Sequence, residues 1–274
     1  MNITEPVRER ARRAPGAAAV IHFDSVVDYR AFDRLLDRLA ACALDAHLAT
    51  GDIVDVAMRS QYRSFALTLA LARIGIASRT EALTPGHAAA ALRLKDEAAD
   101  ATGRVELVDA WFDLPADDVE VPAVLLHPGG DALFRIFATS GTTGVPKGVP
   151  VTHAQMAARI RAKDAALPLP PATRLHCPMG ATGGYGFRDL LRTLWSGGTI
   201  VLGRAGPALP ARIVQHGVTW LLVPPATLQL MVQGRPADAR PFPSLAIVEV
   251  GGAHLPRAVW RAAVERVCPS VVSS

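Results

Sequence analysis

The chain has 274 residues, of which 50% are hydrophobic and 20% charged, and its formal net charge is +4. This length suits one large domain or two small ones, and the composition is typical of a packed globular protein. The positive charges are scattered and do not alternate with aromatic residues, which argues against a nucleic-acid-binding surface. No apolar run reaches the roughly 18 residues of a membrane-spanning helix. The charged start, Met1–Arg13, lacks the apolar core of a signal peptide, so a cytoplasmic location is expected.

The three cysteines, Cys42, Cys177 and Cys268, are too far apart in sequence to indicate a disulfide framework or a metal-binding spacing. We expect three reduced, mostly buried thiols and no metal site built on them.

Hydrophobic periodicity in the first half of the chain predicts short elements in alternation. The predicted elements are a helix over 4–13, a hairpin from 17–23 and 26–28, an amphipathic helix over 29–44, a strand over 53–58, a buried helix over 62–74, a short strand at 76–77, a helix over 87–99 and a strand over 104–108. An acidic surface loop over 115–122, a turn at 127–131 and an apolar strand over 133–138 follow.

The second half continues this alternation. A helix over 152–166 with Thr152 as its N-cap comes first. The remaining predictions are strands at 174–177, 199–202, 220–223 and 245–250, and helices at 189–195, 208–216, 226–233 and 256–266. Strands that alternate with helices predict an α/β fold with largely parallel sheets.

The segment Thr139–Gly148 carries the clearest chemistry. Glycines allow sharp turns that expose backbone N–H groups, and consecutive N–H groups with Thr and Ser hydroxyls form an anion-binding nest. Lys147 adds a positive charge and is one of only three lysines in the chain, with Lys95 and Lys163. We interpret this loop as a polyphosphate-binding element. It is not the P-loop of kinases and GTPases, because Pro146 precedes the lysine and Gly148 follows it, where that motif needs a hydroxyl.

The sequence of residues 138–149, ATSGTTGVPKGV, resembles the phosphate-binding signature of the adenylate-forming superfamily, which includes acyl-CoA synthetases, nonribosomal peptide synthetase adenylation domains and luciferases. The resemblance extends along the chain. It includes Gly51–Val54, Thr152–His153, Val218–Pro225 and Gly251–Leu255.

This resemblance implies the N-terminal large domain of the adenylate-forming fold, with stacked α/β subdomains and incomplete at the C-terminus. A first part, about 1–150, would end in the phosphate-binding loop, and a second, about 151–274, would line the acid pocket. The implied reaction joins a carboxylate to the α-phosphate of ATP, releases pyrophosphate and then transfers the acyl group to coenzyme A or to a phosphopantetheine carrier. The alternative is a truncated homologue that binds nucleotide or phosphate without catalysis.

The resemblance also assigns roles to residues. Lys147 is the expected catalytic residue, and it would balance charge on the departing pyrophosphate. The expected β- and γ-phosphate ligands are Thr139, Ser140, Gly141, Thr142, Thr143 and Gly144. The adenine and acyl side would be lined by Gly251, Gly252 and Ala253, and the acid pocket by Met179, Gly180, Ala181, Tyr185 and Pro224.

The segment Met179–Tyr185 departs from the family pattern, in which many relatives place an aromatic residue and His. Two interpretations remain open: a roomier or differently gated pocket, or a shifted loop in which Tyr185 or Phe187 takes the aromatic place. A further departure is that the chain ends before the glutamate expected to hold Mg²⁺ and before the C-terminal domain, which predicts a fragment or a natural truncation.

Other polar residues are less informative. We interpret Glu249 as a surface or sheet-edge carboxylate, and most of the histidines as surface or internally satisfied side chains. His153 and His254 are exceptions, because the motifs place them towards the nucleotide. Because no acidic residue stands out as a partner for an amino group, a fatty, aryl or similar small organic acid is the expected substrate.

Overall fold

The computed structural model describes residues 1–58, 60–80, 92–95, 104–107, 109–113, 121, 128–139, 147–181 and 183–273. Within these ranges the chain forms two compact units. The first unit comprises Met1–Ala17, Asp28–Pro168 and Ala181–Gly184, and the second comprises Ala18–Val27, Leu169–Gly180 and Tyr185–Ser274. Both contain helices and a mostly parallel sheet, which confirms the predicted fold class.

In chain order the elements are α1 (Glu5–Arg13), β1 (Ala18–His22), β2 (Ser25–Asp28), α2 (Tyr29–Asp45), β3 (Ile53–Ala57), α3 (Gln61–Arg73), β4 (Ala77–Thr80), β5 (Leu92–Lys95), β6 (Arg104–Leu107), α4 (Asp109–Asp113), β7 (Leu133–Thr139), β8 (Lys147–Thr152), α5 (His153–Ala166), β9 (Arg174–His176), α6 (Gly184–Ser196), β10 (Thr199–Leu202), α7 (Leu209–Gln215), β11 (Trp220–Val223), α8 (Pro225–Gln233), β12 (Ile247–Val250), α9 (Arg257–Arg266) and β13 (Val271–Ser273).

The sheet of the first unit has the strand order β6-β5-β3-β4-β7-β8 in the described residues. The pairs are parallel except for β7 with β8, which is antiparallel. Helix α2 packs against α3, and an ion network around the buried Arg73 ties the two helices together; its carboxylates, Asp33 and Asp37, are partly buried and also pair with Arg8 of α1. The Arg73 side chain is 2% exposed and contacts Asp33 at 2.5 Å and Asp37 at 2.8 Å.

The helix predicted over 87–99 is wrong where the structure describes it. Residues Leu92–Lys95 form β5, which pairs in parallel with both β3 and β6. Leu and basic residues alternate in LRLK with the period of two that suits a strand, and this short signal was outweighed by the helix-forming residues around it. The surface loop predicted over 115–122 lies outside the described residues, except for Val121.

The sheet of the second unit has the order β13-β12-β11-β9-β10-β1-β2. Strand β1 pairs in parallel with β10, with Val20 opposite Ile200. The early hairpin therefore belongs to the sheet formed mainly by the last hundred residues of the chain. A single division near residue 150 does not describe this arrangement, because residues 18–27 belong with the later part.

The two faces of this second sheet have different partners. Leu221, Val223, Val248 and Val250 belong to a buried apolar cluster with residues of α7, α8 and α9. In the strands the alternate residues point to the opposite face. On β12 that alternate position is Glu249, and its contacts with α6 and β11 define the site described below.

His176 on β9 is completely buried, and its Nδ1 lies 2.6 Å from the carbonyl oxygen of Val201. Burial lowers the pKa of His176 to about 4, so the ring is neutral at pH 7. The side chain is a packed part of the sheet, as expected for most of the histidines. Cys177 and Cys268 are buried free thiols, and Cys42 is half-buried and also free.

Candidate active site

The segment predicted to bind phosphate joins two antiparallel strands in the first unit. Strand β7 ends at Thr139 and β8 begins at Lys147, and the register places these two residues opposite each other. Ser140, Gly141, Thr142, Thr143 and Gly144 lie outside the described residues. The backbone positions of Thr139 and Lys147 show that the two ends of the loop are held together by the hairpin, so the loop is closed at its base.

The loop begins at the carboxyl end of β7. Since β7 is parallel to β4, this end lies at the same edge as the carboxyl ends of β3, β4 and β5. Ligands of open α/β sheets bind outside this edge. The position of the loop is therefore the one expected for a ligand-binding turn.

Strand β7 carries a buried arginine that the sequence did not single out. Arg135 is 1% exposed, and its guanidinium lies 5.0 Å from the centre of the Phe137 ring. Burial lowers the pKa of Arg135 to about 9, so it retains its charge at pH 7. The strand that leads into the loop thus carries a fixed positive charge four residues before Thr139.

The helix after the loop begins as predicted. The Thr152 hydroxyl accepts a hydrogen bond from the N–H of Gln155, and the Gln155 side chain accepts one from the N–H of Thr152, which makes a complete capping box. The next residue, His153, is completely buried, and its Nδ1 accepts a hydrogen bond from the N–H of Ile3 at 3.2 Å. Burial and the N-terminal charge lower its pKa to about 4. His153 is therefore a neutral packing residue of the first unit.

In the second unit, three adjacent parallel strands end at one edge. These strands are β9, β11 and β12, and the segments that follow them contain predicted pocket residues. Met179 and Gly180 follow β9, Pro224 follows β11, and Gly251 follows β12 directly. Residues that are far apart in sequence thus lie at the same carboxyl edge, where the general rule for α/β sheets places a ligand.

Tyr185 lies against this edge, at the start of α6. Its hydroxyl donates a hydrogen bond to Oε1 of Glu249 at 2.7 Å. Its ring is so close to Gly251 that a Cβ there would stand 2.5 Å from the Tyr185 oxygen and 2.6 Å from Cζ. Gly251 does not have a positive φ, so its backbone conformation alone does not favour glycine. The close contact with the Tyr185 ring is what favours glycine at this position.

The interpretation of Glu249 as a surface or sheet-edge carboxylate is wrong. Glu249 is completely buried, and β12 lies between β11 and β13. Besides the Tyr185 hydroxyl, its carboxylate accepts a hydrogen bond from Nε1 of Trp220, at 3.2 Å from Oε2. The sequence offers one signal for this burial, which is the single Glu within the apolar pattern IVEV. Strands of parallel sheets are covered on both faces, so a Glu on the face opposite the apolar cluster is also buried.

Asp189, which lies one turn after Tyr185 on α6, is a second buried carboxylate. It accepts hydrogen bonds from Arg188 at 2.6 Å and from Arg192 at 3.2 Å. Burial raises the pKa of Asp189 most strongly, Arg188 lowers it, and the neighbouring charge of Glu249 raises it. The formal charges of these four side chains, Arg188, Arg192, Asp189 and Glu249, sum to zero.

The structure describes the Met179–Tyr185 segment except for Thr182. Phe187 is completely buried, whereas Tyr185 is half-buried and reaches Gly251. This geometry favours Tyr185 over Phe187 as the aromatic residue of the pocket. Ala181 is 2% exposed and belongs with the first unit, whereas Met179 and Gly180 belong with the second.

The described residues contain no group of three or more His, Cys, Asp or Glu side chains placed to hold a metal ion. In the same part of the chain, no helix is long and apolar enough to cross a membrane. Gly252 and Ala253 are exposed in the turn after β12, and the exposed His254 follows them.

The fold and the two edges described above define a class of protein. The profile of the AMP-binding enzyme family matches residues 7–274, and the chain belongs to this family. Its members are adenylate-forming enzymes, and the family implies the use of ATP.

Individual relatives agree with this assignment. The chain is 26% identical over 273 residues to the nonribosomal peptide synthetase nanA of Aspergillus nanangensis. The aligned region covers 89% of this chain and 10% of the relative. The chain spans 1% of the length of FR901469 synthetase of Dothideomycetidae sp. and 26% of the length of adenylate-forming reductase 03009 of Coprinopsis cinerea.

Two solved structures share the fold. The N-terminal subdomain of Klebsiella oxytoca NpsA in complex with 3-hydroxybenzoyl-AMSN has a TM-score of 0.84 at 20% identity, covering 99% of this chain and 71% of that one. The o-succinylbenzoate CoA synthetase MenE of Bacillus subtilis, in complex with the acyl-adenylate intermediate OSB-AMP, has a TM-score of 0.82 at 19% identity, covering 94% and 55%.

Proposed function

We propose that this protein activates a carboxylic acid with ATP to give an acyl adenylate and pyrophosphate. Two features support the proposal: membership of the AMP-binding family and the Thr-, Ser- and Gly-rich sequence between the paired strands β7 and β8. The hairpin register of Thr139 and Lys147 carries most weight, because it holds the ends of a polyphosphate-binding loop together at a ligand-binding edge.

In the proposed reaction, a carboxylate oxygen forms a bond to the α-phosphorus of ATP. The bond between that phosphorus and the oxygen bridging to the β-phosphorus breaks, and pyrophosphate leaves with the electron pair. Catalysis of such a transfer depends on positioning and on stabilising the charge of the leaving group. In this proposal the loop 139–144 binds the β- and γ-phosphates, and Lys147 neutralises charge on the departing pyrophosphate.

The acid and the adenine are assigned to the second unit. Gly251, Gly252 and Ala253 would line the adenine and acyl side, because this turn follows β12 at the ligand-binding edge. Tyr185 would form an aromatic wall of the acid pocket beside Pro224. Met179, Gly180 and Ala181 complete the proposed pocket residues, and the small size of Gly180 and Ala181 would leave room for the acyl group.

Mg²⁺ is the metal that this chemistry ordinarily uses. It would balance charge on the phosphates of ATP. The described residues include no group of three or more His, Cys, Asp or Glu side chains placed to hold it.

We propose an aryl, fatty or similar small acid without an amino group as the substrate. Glu249, which contacts Tyr185, and Asp189, one turn after Tyr185 on α6, are both engaged by donors of the protein itself. They are therefore poor partners for a substrate ammonium group. The acyl group would then pass to a thiol, either coenzyme A or a phosphopantetheine carrier.

Carboxylate-dependent exchange of pyrophosphate into ATP tests the proposal. It should be measured over aryl, fatty and amino acids, on this chain and on the whole reading frame that encodes it. We expect exchange with one class of acid, lost or sharply reduced in Lys147→Ala and retained in Lys163→Ala, a matched lysine on α5. ATP binding with no exchange for any acid would instead support a non-catalytic nucleotide-binding protein.

A further inference from the structure

Glu249 is an unusual residue for the middle of a parallel sheet. Its neighbours on β12 are apolar, and an apolar side chain at 249 would avoid the several kcal/mol that desolvating a carboxylate costs. The carboxylate is instead accommodated by hydrogen bonds to both of its oxygens, from the Tyr185 hydroxyl and the Trp220 indole. What these two hydrogen bonds do is fix the Tyr185 hydroxyl and the Trp220 indole to the same side chain.

The two hydrogen bonds fix the orientation of the carboxylate. Trp220 lies on the neighbouring strand β11 and is 1% exposed, so its indole N–H is itself immobilised. With Oε2 held by Trp220, Oε1 points towards α6, where it accepts the hydrogen bond from Tyr185 at 2.7 Å. The position of the Tyr185 hydroxyl is thereby tied to the sheet.

The Tyr185 ring is also held on its sides. The Gly251 backbone lies against it so closely that no Cβ fits between them. The Arg188 guanidinium lies 4.9 Å from the ring centre and is anchored by Asp189. The ring is therefore restrained by its hydroxyl, by the turn after β12 and by a cation from its own helix.

We infer that Glu249 is a positioning residue for the acid pocket: it holds the Tyr185 ring against Gly251 and so sets the width of the pocket at the end of β12. This inference rests on the proposed function, in which Tyr185 lines the acid pocket. Glu249 does not contact the acid. It acts through Tyr185, and its loss releases the ring to move into or out of the space that the acyl group occupies.

Two variants test the inference. Tyr185→Phe keeps the ring and removes the hydroxyl, whereas Glu249→Leu keeps a side chain of similar size and removes every polar atom that could bond to the Tyr185 hydroxyl. Glu265→Leu, at an exposed position on α9, is the matched control. Pyrophosphate exchange is measured with a homologous series of acids of increasing size, and KM is determined for each acid and for ATP.

We expect each variant to raise KM for the preferred acid about tenfold, with kcat and the KM for ATP changed less than about twofold. The order of preference among the acids should shift, because the wall of the pocket is no longer fixed. The double variant of Tyr185→Phe and Glu249→Leu should match the single variants, since both remove the same hydrogen bond. The Glu265→Leu control should behave as the wild type.

The outcomes separate this inference from the proposed function. Exchange by the wild type with an unchanged acid profile in folded Tyr185→Phe and Glu249→Leu would overturn the role of Glu249 alone. Additive effects in the double variant would do the same. A wild type that exchanges pyrophosphate with no acid would overturn both. If Glu249→Leu fails to fold, Tyr185→Phe, which keeps the Trp220 hydrogen bond to Glu249 and removes only the donor to Oε1, decides the question.

Discussion

Adding one methyl group at residue 251 should displace the Tyr185 ring. A Cβ at 251 would stand 2.5 Å from the Tyr185 oxygen, whereas ordinary contacts begin at 3.4 Å. The ring must therefore move by roughly 1 Å, and its hydrogen bond to Glu249 is lost. Because Gly251 does not have a positive φ, Gly251→Ala tests the contact with the ring and not backbone strain.

The expected cost follows from two unfavourable terms and one that offsets them. Overpacking in a well-packed region costs about 1–3 kcal/mol. The lost hydrogen bond to a charged group adds about 1.5–3 kcal/mol. Replacing Gly by Ala also restricts the unfolded chain, which offsets about 0.4–1 kcal/mol. We therefore expect Gly251→Ala to lower the free energy of unfolding by about 2–5 kcal/mol.

Urea unfolding followed by tryptophan fluorescence measures this cost in two backgrounds. With Tyr185→Ala the ring is absent, and Gly251→Ala should then be neutral or slightly stabilising, within about 1 kcal/mol. A coupling of at least about 2 kcal/mol between the two positions is the predicted result. If Gly251→Ala costs the same in both backgrounds, the contact with Tyr185 is not the reason for glycine at 251, and the reasoning about the ring fails.

Two further predictions concern buried charge. Arg73→Leu leaves the partly buried Asp33 and Asp37 with Arg8 as their remaining ion-pair partner and should lower the free energy of unfolding by about 1.5–3 kcal/mol. Arg13→Leu removes an exposed pair and should cost less than about 1 kcal/mol; equal costs in urea unfolding would contradict the account of the network. His176 has a folded pKa of about 4, below the unfolded value of about 6.5, so the unfolded state binds more protons between these values and stability is lost as pH falls through this window. The loss from this group is on the order of 3 kcal/mol, and His176→Leu should show a correspondingly smaller fall in stability between pH 7 and pH 4 than the wild type; an equal fall would show that His176 does not titrate as its burial requires.

Elements with strong local signals could be predicted from the sequence. The amphipathic pattern of α2 and the hydroxyl of Thr152 before α5 are both local, and the structure confirms them. The apolar strand that runs into the loop is also confirmed, since β7 ends at Thr139. These signals are contained in short stretches of chain, so no knowledge of distant partners is needed to read them.

Elements that depend on distant partners could not be predicted in this way. Strand β5 has only four residues, and its partners β3 and β6 decide its conformation. Glu249 was misjudged for a similar reason. Its hydrogen-bond partners, Tyr185 and Trp220, are 64 and 29 residues away in sequence. A carboxylate in an apolar strand is ambiguous until the side chains on its alternate face are known.

The family could be recognised from the sequence because its loop is a contiguous motif, whereas the pocket is assembled from separate segments. Met179, Pro224 and Gly251 follow three different strands and lie at one edge only because β9, β11 and β12 are neighbours. Their assignment to the acid pocket remains a proposal, and it depends on the identity of the acid.

The transfer of oxygen from the acid to AMP tests the central claim most directly. The preferred acid is labelled with ¹⁸O in its carboxylate, and a single turnover with ATP is trapped with hydroxylamine, which attacks the carbonyl carbon. The account predicts AMP that carries one ¹⁸O atom together with the acyl hydroxamate, and neither product in Lys147→Ala. AMP without the label, formed at the same rate with or without the acid, would show that water and not the carboxylate attacks phosphorus, and would contradict acid activation by this protein.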